Sequence, residues 1–122
     1  LVKGLNDSKI SVCFPSSMTH PARSGDVETM TLRYLETIAS RCIPLGHAPA
    51  EMIDLFGYNP LIEIDANDPK GQIDDILANL SSYAPLLERN YQSMLGIATW
   101  DVRAHELLGH LRHQGYDISG DN

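Results

Sequence analysis

ISVCFPSSMTHPARSGDVETMTLRYLETIASRCIPLG, Ile10 to Gly46, carries the order of elements from which an architecture can be read. ISVCFP is a short apolar run rich in strand formers and closed by a proline, the pattern of a buried strand. SSMTHPARSGD follows with loop chemistry, and a connection of that length after a buried strand is more often functional than idle. From Gly25 to Ser40 the spacing predicts a helix, with Met30, Leu32, Leu35, Ile38 and Ala39 turned towards a core. CIPLG then reads as a second strand. Strand, long loop, helix and strand make a parallel crossover unit.

The rest of the chain extends that unit. PAEMIDLFG reads as a helix with Pro49 at its start and Gly57 at its stop. LIEI is a third strand. Asp68 and Pro69 open the helix of GQIDDILANL, APLLERNYQSMLGIA is a further helix, and Thr99 caps a last one. On that last helix Trp100, Ala104, Leu107, Leu108 and Leu111 form one stripe, read as core. The fold class expected is α/β: a partial Rossmann-like three-layer domain with a short parallel sheet of about three strands and C-terminal helices. Right-handed crossovers then gather the strand-to-helix loops at the carboxyl edge, where such folds bind ligands.

The totals fit one domain: 122 residues, 43% of them hydrophobic, with no internal repeat. No apolar run approaches the roughly 18 to 20 residues of a membrane span, so membrane association is not visible in this segment. A net charge of −7 argues against a general nucleic-acid binder, whose affinity comes from neutralising phosphates. It leaves open one phosphorylated ligand held by backbone amides. Cys13 and Cys42 sit in apolar runs and read as buried reduced thiols, which makes the expected compartment cytoplasmic. The opening LVKGLNDSKI and a sheet with so few strands suggest an excised piece of a longer protein. The polar tail, 113–122, is expected to fray.

Within the first helix region Glu28 and Glu36 stand eight positions apart. Between them lie the amides of a helix first turn, Thr29 to Leu32, which favour an anion together with the helix dipole. Carboxylates at either end accept hydrogen bonds from hydroxyls. A nucleotide-sugar, with ribose, pyrophosphate and sugar in line, has that layout. Two acids stabilising a helix start is the plainer account of the same residues.

The run E-T-M-T-L-R-Y-L-E-T-I-A-S-R-C-I-P-L resembles the E-x7-E signature of retaining, two-domain (GT-B) glycosyltransferases of the group 1 type. FPSS before it, and PAEMIDLFGYNPLIEID, DPKGQIDDILANL and ERNYQ…TWDVRAHELL after it, resemble the family's later order, so the similarity covers about residues 8–112. The resemblance implies the nucleotide-sugar donor-binding portion of a hexosyltransferase-type enzyme acting with retention. Glu36 would take the ribose hydroxyls, and Glu28, the catalytic candidate, the transferred sugar. The amides of Met30, Thr31 and Leu32 would meet the phosphates, with Thr29 and Gly25 beside them. The family needs no metal, so no cofactor is expected beyond the donor itself. Thr29 and Thr31 replace the family's glycine pair, and its basic phosphate-binding residues lie upstream of this segment.

That reading also implies a partner, the N-terminal domain of the same polypeptide, and an isolated chain without transferase activity. His20 and Arg23, in the long loop, are further candidates for phosphate or acceptor contacts. His105, His110 and His113 on the last helix lack a clustered third ligand type and are read as surface or tail histidines, so no metal site is expected. Ser16 and Ser17 lack a nucleophile elbow, and no Walker-type loop is present. The alternative is a non-catalytic nucleotide- or glycan-binding module, or a flavodoxin-like signalling domain, although the paired acids of a receiver domain are not visible. In the family a glycine usually stands where Arg41 does, in the left-handed region, so Arg41→Gly is expected to stabilise the chain.

Overall fold

A computed structural model describes residues 2–118. A short helix α1 (Val2–Asp7) precedes β1 (Ile10–Cys13), which is followed by two brief helices, α2 (Ser16–Thr19) and α3 (Pro21–Ser24). Then come α4 (Leu32–Ala39), β2 (Ile43–Gly46), α5 (Ala50–Phe56) and β3 (Ile62–Glu63). The chain continues through α6 (Pro69–Ala78), a 3-10 turn (Leu80–Tyr83), α7 (Ala84–Ile97) and α8 (Trp100–His113). The strands form one parallel sheet in the order β1-β2-β3, with Ile10 beside Ile43, Cys13 beside Gly46 and Leu45 beside Ile62. This is the short parallel sheet of a partial α/β, Rossmann-like domain.

Side chains alternate across the sheet and build two cores. On one face Cys13 meets Tyr34 and Ile38 of α4, Met52 and Phe56 of α5 and Met94 of α7. On the other, Ile43 and Leu45 meet Ile76 of α6, with Ile10, Ile62 and Leu87 around them. All four residues of β2 are buried, as a strand covered on both faces requires. At its end Gly46 has φ 149°, and a Cβ there would overlap the carbonyl oxygen of Cys13. Only glycine lets β2 run this close to β1.

Both cysteines are free and buried. The Cys42 thiol donates to the Leu5 carbonyl at 2.9 Å, fastening α1 to the residue before β2, and burial pushes that thiol up so that it stays neutral. The caps read from the sequence hold in two places. Asp68 accepts from the Gly71 amide at 3.0 Å with Pro69 opening α6, and Gly57 closes α5 with φ 76°.

Three expectations are corrected. The long loop after β1 holds α2 and α3, each opened by a proline, Pro15 before α2 and Pro21 within α3. The first crossover helix begins at Leu32, with Thr31 as its extended N-cap (φ −85°, ψ 163°). Val27, Thr29 and Thr31 favour an extended chain, and the Met30 amide, spent on the Glu51 carboxylate at 3.3 Å, is not a helical one. Finally, the α8 stripe is not core. Trp100 is 89% and Leu107 59% exposed, and α8 has no buried residue. Periodicity reported the amphipathic face, but Trp100, Ala104, Leu107 and Leu108 on it are exposed and only Leu111 is half-buried. The tail's last residues, 119–122, lie outside the described residues; Tyr116 before them is exposed.

Arg41 is the non-glycine residue with positive φ (53°) among the described residues, where a Cβ costs roughly 1 kcal/mol. Its guanidinium also lies 3.9 Å from the centre of the Tyr91 ring and 3.5 Å from Glu88. Those contacts offset the strain, so the simple gain expected of Arg41→Gly is reduced. Arg41→Ala keeps the strain and loses the contacts. It should be about 1 kcal/mol less stable than Arg41→Gly in denaturant unfolding; equal midpoints would show that the left-handed turn is not strained.

Candidate functional site

Parallel pairing brings the carboxyl ends of β1, β2 and β3 to one edge. Cys13 leads into Pro15 and α2, Gly46 into His47, and Glu63 closes β3. Opposite them runs segment 25–31. It leaves α3 at Gly25, whose φ of 59° turns the chain, and enters α4 at Thr31.

His47 ties this edge together. Its Nε2 lies 3.1 Å from Glu28 Oε1 and its Nδ1 3.1 Å from Glu63 Oε2. Glu63 Oε1 also accepts from the Ala48 amide at 3.2 Å and from Asn59 Nδ2 at 3.1 Å. The backbone of His47 is held as well: its amide donates to the Cys13 carbonyl at 3.0 Å, and its carbonyl accepts from the Tyr34 hydroxyl at 2.8 Å. Burial, with Cys13, Glu28 and Glu63 nearby, drives the Tyr34 hydroxyl up, so it is a neutral donor at any ordinary pH.

The charges of the cluster follow from those bonds. Burial works to lower the His47 pKa, but Glu63 first and Glu28 second stabilise the imidazolium and leave the pKa raised. Burial likewise works to raise the Glu63 pKa. The Ala48 amide, Asn59 and His47 outweigh it, and the carboxyl sits below its usual range.

The expected ligand residues fall into two groups. Glu28 is at the sheet edge, on His47. Met30, Leu32 and Glu36 line a groove of about 380 Å³, with Leu35, Met94, Trp100 and Arg103 among its walls. Glu36 lies within α4, its Oε2 3.6 Å from Arg33 Nε. The amides of Thr31, Leu32 and Arg33 have no intrahelical carbonyl to meet, whereas that of Met30 is taken by Glu51. The two glutamates are therefore joined by an extended segment and one helical turn, not by a continuous helix. Thr29 and Gly25 are exposed on the approach. His20, between α2 and α3 with its Nδ1 3.0 Å from Thr19 Oγ1, and Arg23 of α3 are exposed after β1.

One other opening suits an anion less. A cavity of about 300 Å³ beside α6 is lined by Asp65, Asp68 and Asp75, which repel phosphate. Among the described residues no group of three or more His, Cys, Asp or Glu is arranged to hold a metal ion, and no helix is long and apolar enough to cross a membrane.

His47 and Glu63 were not singled out from the sequence. Each ends or follows a strand, so the rule that pointed to the loop after β1 would have pointed to them as well. Comparisons of the chain with protein-family models, curated proteins and solved structures found no match.

The bonded cluster sets a pH dependence. A raised histidine pKa contributes stability that is full below the ordinary imidazole value and lost as pH climbs through the raised one. A depressed carboxyl contributes stability above the ordinary carboxylate value, lost as pH falls through the lowered one. The cluster is tightest between those two limits. Thermal unfolding of the wild type and of His47→Gln should therefore differ most in mildly acidic buffer and converge as pH rises. A difference that is flat or grows with pH would refute the imidazolium bridge.

Proposed function

We propose that this chain is the donor-binding part of a retaining glycosyltransferase, moving a sugar from a nucleoside-diphosphate sugar to an acceptor. One observation carries the reading: Glu28 at the sheet edge and Glu36 in the groove stand on either side of the α4 N-terminus, whose first amides have no intrahelical partner. Glu36 accepts hydrogen bonds from vicinal ribose hydroxyls. The amides of Thr31 and Leu32, with the positive end of α4, receive the diphosphate, and that of Met30 joins them only if Glu51 gives way. Glu28 takes a hydroxyl of the transferred sugar.

The resemblance of the E-x7-E run supports the same assignment, as does the parallel α/β scaffold. The acceptor side of the cleft belongs to a second domain in this reading, so the isolated chain binds donor without transferring it. In this reading the backbone amides of α4, with basic side chains of the second domain, offset the leaving diphosphate's charge, which is chemistry that needs no metal.

Calorimetric titration of the chain with uridine, guanosine and adenosine diphosphates and their hexose conjugates tests it. One nucleotide should bind saturably. Glu36→Ala should weaken that diphosphate at least about tenfold, or about 1.4 kcal/mol, and Glu36→Gln less, since it keeps one acceptor. Glu28→Gln should leave the diphosphate nearly unchanged and weaken the sugar conjugate. If Glu36→Ala binds the diphosphate as well as the parent does, the carboxylates serve only the helix end and the reading fails.

A further inference from the structure

We propose that His47 is a positioning residue of this cleft: with one ring nitrogen on Glu28 and the other on Glu63, it fixes the Glu28 carboxylate at the sheet edge, where that carboxylate meets the transferred sugar. The proposal rests on the donor-binding reading above.

Glu28 sits on a segment without regular structure, and its side chain is more than a third exposed. Left alone, such a side chain samples several rotamers and must be ordered when a ligand arrives. His47 removes that freedom because nothing about His47 itself is loose. Its amide is on Cys13 of β1 and its carbonyl on Tyr34 of α4. Its Nδ1 is on Glu63, and Glu63 is pinned in turn by Ala48 and Asn59. Asn59 is fixed by accepting from the Leu61 amide at 2.9 Å. Rigidity thus passes from the sheet through Glu63 and the imidazole to a carboxylate on a loop. This is how a well-held supporting side chain preorganises a ligand-contacting one.

Donating to both carboxylates requires protons on both ring nitrogens. The ionisable groups facing the ring are Glu28 from the segment before α4 and Glu63 from β3. The Tyr34 hydroxyl from α4 bonds the His47 carbonyl, Cys13 of β1 accepts its amide through the backbone, and Glu51 from α5 is spent on the Met30 amide. A neutral ring keeps one donor; Glu63, held in place by Ala48 and Asn59, retains it, so the bridge to Glu28 is the one that opens.

The test measures, on the chain, the preference for a hexose conjugate over its own diphosphate, using the nucleotide that binds best in the panel above. His47→Ala, His47→Gln and Glu63→Gln are compared with the wild type, alongside unfolding midpoints and the ring-nitrogen chemical shifts of His47. The wild-type preference should fall about fivefold in His47→Ala, with diphosphate affinity retained. His47→Gln, whose amide can still donate to Glu28, should recover part of it. In the wild type the preference should decline with rising pH along the curve of the His47 nitrogen signals, and Glu63→Gln should move both curves together to lower pH. A purely structural role would shift the unfolding midpoint without moving that ratio.

Preserved preference in a folded His47→Ala, or a pH curve that ignores His47, overturns the proposal while diphosphate binding keeps the donor reading intact. Should His47→Ala not fold, the preference ratios of His47→Gln and Glu63→Gln decide the question in its place. A wild-type chain that binds no diphosphate sinks the donor reading, and this proposal with it.

Discussion

The close approach of β2 to β1 is the constraint on which the rest of the molecule turns. Gly46 lies against the Cys13 carbonyl where no side chain fits, and the next amide, that of His47, donates to that same carbonyl. On its other side the Gly46 carbonyl accepts from Ile64 at 2.9 Å, so β2 is clasped between its neighbours at the end where the chain leaves the sheet. A four-residue strand with every position buried cannot slip by one residue without exchanging Ile43 and Leu45 for Pro44 and Gly46. Register, and with it the position of His47, is fixed by packing.

That fixed exit explains why the polar groups of the site are ordered although the segment bearing Glu28 is not part of any element. Glu28 and Glu63 come from distant parts of the chain and converge on one imidazole whose backbone is bolted to β1 and α4. Two carboxylates around one ring would repel each other if the ring were neutral. Their joint effect is to keep it charged, against the burial that would strip its proton. His47 and Glu63 therefore hold each other charged, and Glu28 adds to the hold on the imidazolium.

Much of the scaffold was legible in the sequence because its signals are local. ISVC, IPLG and the short third strand are apolar runs punctuated by proline and glycine, and Asp68–Pro69 and Gly57 carry their caps with them. The start of α4 was misjudged because Met30 extends the apolar spacing of Leu32, Leu35 and Ile38. Spacing does not know that its amide is claimed by Glu51, in another helix. The α8 stripe was misjudged for a related reason: periodicity records that a face is apolar, not what lies against it. Glu28 could be singled out from its neighbours, but its bond to His47 spans nineteen positions and has no local signature. Histidine and glutamate acquire meaning there only once the strands are paired.

The electrostatics of the edge set a last condition on the donor-binding reading. Glu28, Glu51 and Glu63 all stand near the start of α4, in a chain already carrying a net charge of −7. The helix end offers about half a unit of positive charge, and the His47 charge is already engaged by two carboxylates. A diphosphate brings more negative charge than those terms offset. Arg33 is drawn towards Glu36, and the Arg103 guanidinium lies 2.9 Å from Glu106, so neither is free of a carboxylate. Arg23 of α3 and the His20 ring between α2 and α3, both exposed, share the edge and are the groups there that can donate to a phosphate by rearranging exposed side chains. If they do not reach it, the balance has to come from basic side chains on the far wall of the cleft. Diphosphate affinity in the isolated chain would then be weak and would rise with added salt, because salt screens the repulsion from Glu28, Glu51 and Glu63.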